Sequence, residues 1–401
     1  MSEKIVVSAA GLISALGHGV AANMQAIRNL RSGLRYPQHL RTIHSGEFVM
    51  GEVPYSNEEM ATILNLSPKH HYSRTALLAL LAMQELLFAT DIDLLRSESL
   101  ALINAGTVGG MCTVEDLYPD FVAPGTGDYV KYIDTLDCAE STEDIAGFFG
   151  LKPLMATIST ACSSSANALL LGARMIKQGV VKRALCGGCD ALSRFTLNGF
   201  NSLKNVAREA CRPFDRDRIG LNLGEGAAYL LLETESSARE RGATILATFS
   251  GYCNSNDAYH PTAPSPHGDG AYNTMQQAMN MAGLKPSDIG YINAHGTATI
   301  NNDIAEGSAI KRLFGDAMPY FSSTKPFTGH TLAAAGAIEA IFSIASMQQG
   351  IVPPNLNFQT PMEELLLIPT TQLVENINIR HVLSNSFGFG GNNVSLAFSA
   401  S

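Results

Sequence analysis

The chain reads as an α/β protein. Short apolar runs ending in glycine-containing turns alternate with longer helix-like stretches, and no linker, charge run or low-complexity segment breaks that rhythm. Its 401 residues are 46% hydrophobic and 16% charged, ample apolar surface to offset the entropy of ordering a globular core. The length fits two domains, or one large core built from two similar halves.

The apolar runs KIVVSAAG (4–11), SLALINAGT (99–107), RALCGGCDAL (183–192), AAYLLLET (227–234), ATILATFSGYC (243–253), DIGYINAHG (288–296), HVLSNSFGFGG (381–391) and NNVSLAFSA (392–400) are expected to be buried strands. Helices are expected over 73–89, 163–178, 271–282, 303–313 and 333–349. The helices at 163–178 and 333–349 are rich in small residues, which suits burial against close neighbours on every side. A strand ends at AAYLLLET and a fresh one begins after the charged turn SSARERG, so a duplicated α/β unit is plausible from the pattern.

A formal charge of −9 argues against a general nucleic-acid or anionic-membrane binder, which needs a basic face. The seven cysteines are scattered and odd in number, unlike a secreted disulfide framework, and a reducing cytoplasm is expected. The opening MSEKIVVSAAGLISALG is read as a first strand and turn rather than a secretory signal, because it lacks a basic start and is interrupted by Gly11 and Gly17. The longest helical apolar run, TALLALLAMQELLFA, is broken by Gln84 and Glu85, so no membrane span is expected.

Reactive side chains cluster in a few turns. Cys162 stands where a β-rich approach, ATIST, meets the start of the 163–178 helix, and a helix start lowers a thiol's pKa through its unpaired N–H groups and dipole. From this segment alone Cys162 is equally a nucleophile or a buried structural cysteine. His295 ends an apolar strand in YINAHGTAT, and Lys325 and His330 lie in STKPFTGH, a polar turn that launches the next helix. Either histidine alone is readily structural, but a cysteine with two turn-borne histidines suits acyl transfer. Glu339, fourteen residues after Lys325, is placed to pair with it. A zinc site lacks the required ligand spacing, and Cys186-Gly-Gly-Cys189 without a second pair reads as a tight structural turn. In NSFGFGGNN, glycines 388, 390 and 391 would let backbone approach a substrate closely beside Phe389.

Taken together, STACSSSANAL around Cys162, CRPFDRDRIG with GEGAA at 211–228, NAHGTAT with Asp303 and Glu306, STKPFTGH with Glu339, and NSFGFGGNN resemble the β-ketoacyl-[acyl carrier protein] synthases. The match spans nearly the whole chain in the family's order. It implies the thiolase fold, two similar mixed-sheet halves in a layered αβαβα arrangement, here 1–240 with the nucleophile and 241–401 with the two histidines. A third catalytic position occupied by His330 rather than Asn implies the elongating, Cys-His-His type. Thiolases use a second cysteine near the C-terminal end, and none follows Cys253. A non-catalytic carrier-binding partner subunit of a ketosynthase heterodimer is the alternative, though such a partner would typically lack Cys162.

The resemblance implies that Cys162 takes an acyl chain from a carrier's phosphopantetheine thioester. His295 and His330 would stabilise the enolate formed when malonyl carrier protein loses carbon dioxide, and the N–H groups of Cys162 and Phe389 would form the oxyanion hole. Lys325, held by Glu339, would order the site, and Thr297 would contact substrate. No metal or cofactor is implied beyond the 4'-phosphopantetheine that the carrier brings. A dimer is implied, a homodimer or a heterodimer with a related synthase, with Met111 in 106–118 walling an acyl tunnel at its interface. Lys69, Arg74, Lys204 and Arg208 are the cations implied for docking the acidic carrier. Ala298, Ile300, Asn301 and Asn302 depart from the family's usual residues after His295-Gly-Thr, which leaves housekeeping fatty acid synthesis and a specialised polyene pathway both open.

Overall fold

The computed structural model describes residues 3–97, 99–122, 132 and 134–401. In the first half the main strands are β1 (Ile5–Ser14), β2 (Leu100–Ala105), β3 (Leu154–Ile158), β4 (Arg183–Asp190) and β5 (Gly226–Thr234). The second half supplies β6 (Ala247–Asn256), β7 (Tyr291–Asn293), β8 (Tyr320–Ser322), β9 (His381–Gly388) and β10 (Asn392–Ser399). They follow one another in space as β3-β2-β4-β5-β1-β6-β10-β9-β7-β8.

The halves repeat one topology. From its outer edge inwards each runs third, second, fourth, fifth and first strand. The third–second and second–fourth pairs are parallel, and the fourth–fifth and fifth–first pairs are antiparallel, in both halves. The first strands meet at the middle through Val6 opposite Thr248 and Val7 opposite Ala247. The duplication suggested by the strand rhythm is therefore present in the backbone.

Helices α1 (Arg74–Phe88), α2 (Ser164–Lys177), α3 (Asp269–Ala282), α4 (Ile300–Phe314) and α5 (Ala335–Gln349) complete the layers. The small-residue helices α2 and α5 pack on each other and on strands of both halves, forming the central layer. α5 is buried without a break from Ala335 to Met347. A side chain at Gly336 would stand 2.8 Å from the Ala166 nitrogen, which is why glycine occupies this crossing. α1 covers the outer face of the first half, and α3 with α4 covers that of the second. The arrangement is helix, sheet, helix, sheet, helix. Among the described residues no helix is long and apolar enough to cross a membrane.

Of the two outermost strands, β3 is expected only as the ATIST approach to Cys162, and β8 is not among the expected strands. Both are edge strands, paired on one side only, and β3 leaves Leu154 and Met155 about half exposed, so neither shows the continuous burial of the inner strands. Cys186-Gly-Gly-Cys189 is not a turn but the middle of β4, fully buried. Its glycines bring neighbours close: a Cβ at Gly188 would meet that of Ala105 at 2.8 Å.

Each first strand lets its outer helix approach through one glycine. A Cβ at Gly11 of β1 would lie 2.0 Å from the Ala82 carbonyl oxygen of α1, and one at Gly251 of β6 would lie 2.1 Å from the Ala278 carbonyl oxygen of α3. Backbone cannot yield as a side chain does. Gly11→Ala and Gly251→Ala are each expected to destabilise the protein by about 1–3 kcal/mol. Denaturant melts would read this, and an unchanged midpoint would mean that the helix shifts freely.

Candidate active site

Cys162 lies on a sharp connection between β3 and α2. Ala161 before it adopts φ +52°, a left-handed conformation that non-glycine residues avoid. The serine run holds this strained turn. Ser164 Oγ donates to the Ala161 carbonyl at 2.5 Å and accepts from the Thr160 N–H at 2.8 Å, and Ser163 Oγ donates to the Thr160 carbonyl at 2.9 Å. Gly388 packs against the turn so closely that a Cβ there would sit 3.1 Å from the Cys162 nitrogen. The expectation of a thiol acidified by the helix start is corrected here. Cys162 is 6% exposed, and burial pushes its thiol up to about 11 although Lys325 and the Phe389 backbone N–H pull the other way. Desolvation outweighs the helix end because the anion has almost no water.

His295 follows β7 in a loop stapled by acids from α4. Glu306 accepts from the backbone N–H groups of His295 at 2.9 Å and Gly296 at 2.8 Å, and from Asn385 Nδ2 at 3.1 Å. Asp303 accepts from the Phe214 N–H at 2.7 Å and the Ala298 N–H at 3.2 Å, tying the RPFD segment to the same loop. Thr297, buried beside them, shares a 2.8 Å hydrogen bond with Thr299. His330 stands between Gly329 at φ +72° and Leu332 at φ +51°. Its N–H donates to the Asn222 carbonyl at 2.7 Å, and its carbonyl accepts from Gly224 at 2.9 Å.

These turns converge. The Cys162 sulfur and a ring nitrogen of each histidine all lie within 4.8 Å of one another. The two imidazoles are perpendicular, with centroids 5.3 Å apart. Lys325 Nζ donates to Glu339 Oε1 at 2.5 Å and lies 3.3 Å from His295 Nδ1. An ammonium has only donors, so Nδ1 must accept and the His295 proton resides on Nε2. Burial, with the Lys325 charge second, holds both imidazoles well below the ordinary histidine range, so both are neutral near pH 7. Burial likewise pushes Glu339 up to about 7, against the pull of Lys325. Cysteine and two histidines are also donors that a soft metal favours, but the adjacent Lys325 ammonium opposes a cation there.

The trio opens into a cleft of about 360 Å3 lined by Thr297, Phe387, Phe389 and Leu221, with Lys204, Ile219 and Ile300 towards its mouth. The Phe389 ring stacks on that of Phe200, with centroids 5.5 Å apart. Met111 is not among the cleft's lining residues. It begins a helix, Met111–Val122, and packs into the apolar cluster of Val108, Leu192, Leu197 and Leu332 that backs Leu221. Of the docking cations, Lys69, Lys204 and Arg208 are exposed, and Arg208 pairs with Glu47 at 2.7 Å. Arg74 is not a surface cation: it is 7% exposed and donates to both oxygens of buried Glu225. Nothing local in SPKHHYSR announced that partner, which lies 151 residues away. The stapling roles of Glu306 and Asp303 also escaped the motif reading, where they were only positions after the histidine.

Comparison with known proteins agrees with this geometry. The family models for the β-ketoacyl synthase N-terminal and C-terminal domains match residues 2–238 and 246–359. A 3-oxoacyl-[acyl-carrier-protein] synthase 2 from Staphylococcus aureus is 31% identical over 408 residues, covering 99% of this chain and 98% of its own. Among solved structures, the ishigamide ketosynthase/chain length factor aligns with a TM-score of 0.93 at 30% identity over the whole of both chains. A ketosynthase (ApeO) in complex with its chain length factor (ApeC) from Xenorhabdus doucetiae aligns at 0.85 and 30%, covering 100% of this chain and 98% of that one. With two family models spanning both halves and a cysteine and two histidines meeting at their junction, the chain belongs to the β-ketoacyl synthase family.

Proposed function

We propose that the chain performs decarboxylative Claisen condensation between an acyl group on Cys162 and malonyl-[acyl carrier protein], giving a 3-oxoacyl-[acyl carrier protein]. The observation that carries the assignment is the meeting of Cys162, His295 and His330 within 4.8 Å, with Lys325 fixing the His295 tautomer. In the first step the Cys162 sulfur attacks the carrier thioester, its C–S bond breaks, and the thiol proton ends on the departing pantetheine thiolate. In the second, malonyl loses carbon dioxide, and the enolate oxygen is met by N–H donors from two neutral imidazoles. The enolate carbon then attacks the Cys162 thioester, forming the C–C bond and releasing the sulfur. The Phe389 N–H already aimed at Cys162, with that of Cys162 itself, supports an oxyanion hole, a contribution of about 3–4 kcal/mol where such donors have been removed.

The pantetheine arm arrives on the carrier and no other cofactor is needed. Lys204 at the cleft mouth, beside exposed Leu203, Ile219 and Ile300, supports docking of an acidic carrier there. The exposed β3 edge with Leu154 and Met155 supports pairing with a second subunit of this fold. The likeness to ketosynthases paired with chain length factors leaves that second subunit as a copy or a relative. All seven cysteines being free supports a reducing, cytoplasmic setting. An intact cysteine and two converged histidines disfavour a purely non-catalytic partner role.

Cys162→Ala is expected to abolish condensation with the oligomer intact, and chain elongation by this variant would sink the nucleophile assignment. His330→Ala is expected to spare acylation of Cys162, read by intact-protein mass, and to lose malonyl decarboxylation; the opposite pattern reverses the roles. Because the free thiol titrates at about 11, its alkylation by iodoacetamide should keep accelerating as pH rises from 7 to 10, since only deprotonation makes the nucleophile. A plateau already reached by pH 8 would refute the buried-thiol picture. Lys204→Glu should raise the apparent KM for carrier-bound substrate several-fold at low salt, with the effect shrinking as salt is added. An unchanged KM moves docking away from this rim.

A further inference from the structure

Asp190 closes β4 with its carboxylate wholly buried. Oδ1 accepts from the backbone N–H groups of Thr107 at 2.9 Å and Val108 at 3.1 Å. Oδ2 accepts from Thr107 Oγ1 at 2.5 Å and the Ala333 N–H at 2.8 Å. Thr107 and Val108 belong to the turn after β2 in the first half, whereas Ala333 comes three residues after His330 in the second. One carboxylate therefore joins the two halves at the active site.

The Ala333 end is the informative one. His330 sits in a turn whose Gly329 and Leu332 both have positive φ, and leucine there is strained. Strain of this kind persists only when surrounding contacts over-determine it. The turn is held on one side by the Asn222 and Gly224 backbone and on the other by Asp190. Around the carboxylate, Val108, Leu192 and Leu332 form an apolar cluster that excludes water and strengthens the hydrogen bonds.

We infer that Asp190 is a positioning residue that pins the strained His330 turn of the second half to the first half, and so sets where the His330 ring meets the enolate. The inference rests on His330 serving decarboxylation as proposed above. An asparagine at 190 fits one orientation best: its oxygen keeps Thr107 N–H and Val108 N–H, and its amide donates to Thr107 Oγ1 but faces the Ala333 N–H, donor against donor. Asp190→Asn thus releases the His330 side and leaves the Thr107 side in place.

The test compares the two half-reactions on the full-length protein, acylation of Cys162 from acyl carrier by intact mass and carbon dioxide release from malonyl carrier. Asp190→Asn should keep acylation within about threefold and lower decarboxylation at least tenfold. Thr107→Val removes one bond from the same carboxylate but spares Ala333, and should keep both within about threefold. Should Asp190→Asn not fold, Asp190→Glu keeps the charge, displaces the carboxylate by one methylene, and is expected to give the same split. Equal loss of both half-reactions, loss of neither, or a Thr107→Val effect matching Asp190→Asn would overturn the inference. Wild-type protein that neither acylates nor decarboxylates would overturn the functional reading instead.

Discussion

The site is organised by a buried ammonium. Lys325 is 1% exposed and held by Glu339, an arrangement that costs several kcal/mol of desolvation per ion before their attraction offsets it. What that ion pair does for the chemistry is visible in its neighbours. Lys325 occupies the acceptor nitrogen of His295, depresses both imidazoles and draws the Cys162 thiol down from where burial alone would put it. Burial keeps the two imidazoles neutral, the fixed Lys325 charge adds to that, and the same charge offsets part of what burial does to the Cys162 thiol.

Around it, the cysteine and both histidines stand in turns that contain positive-φ residues: Cys162 after Ala161, His295 before Gly296 and Ala298, His330 between Gly329 and Leu332. Such turns point side chains inward from a strand end at an angle that regular structure does not allow. They are unstable alone, and buried side chains hold them by hydrogen bonds to the backbone: serine hydroxyls donate to carbonyls before Cys162, and carboxylates accept from N–H groups, Glu306 and Asp303 at His295 and Asp190 near His330. Burial pushes these carboxylates up, Glu306 to about 7, and their backbone donors pull them back.

The duplicated topology explains why the pieces meet. In each half the third strand leads into a reactive turn and then into a small-residue helix: β3 to Cys162 to α2, and β8 to Lys325 and His330 to α5. Because α2 and α5 pack on each other in the central layer, the two turns that precede them are brought face to face. Small residues are required there because large ones would hold the helices, and with them the two halves of the site, apart.

By itself the sequence determined the strand and helix rhythm, the buried small-residue helices and the reactive residues, since burial on both faces writes continuous apolar runs and each reactive turn carries its own glycines and serines. Cys162, His295, His330, Lys325 and Glu339 were legible as a set because their residue types are rare in combination. Only the tertiary structure decided the rest. The edge strand β8, three residues long and paired on one side, leaves too weak a pattern to read. Arg74 looked like a surface cation until its partner Glu225 came to it across the fold, and the Cys162 thiol looked acidic until its burial was known. Glu306 and Asp190 act chiefly by accepting hydrogen bonds from backbone N–H groups. A backbone N–H has no residue identity, so no sequence pattern records where it will be needed.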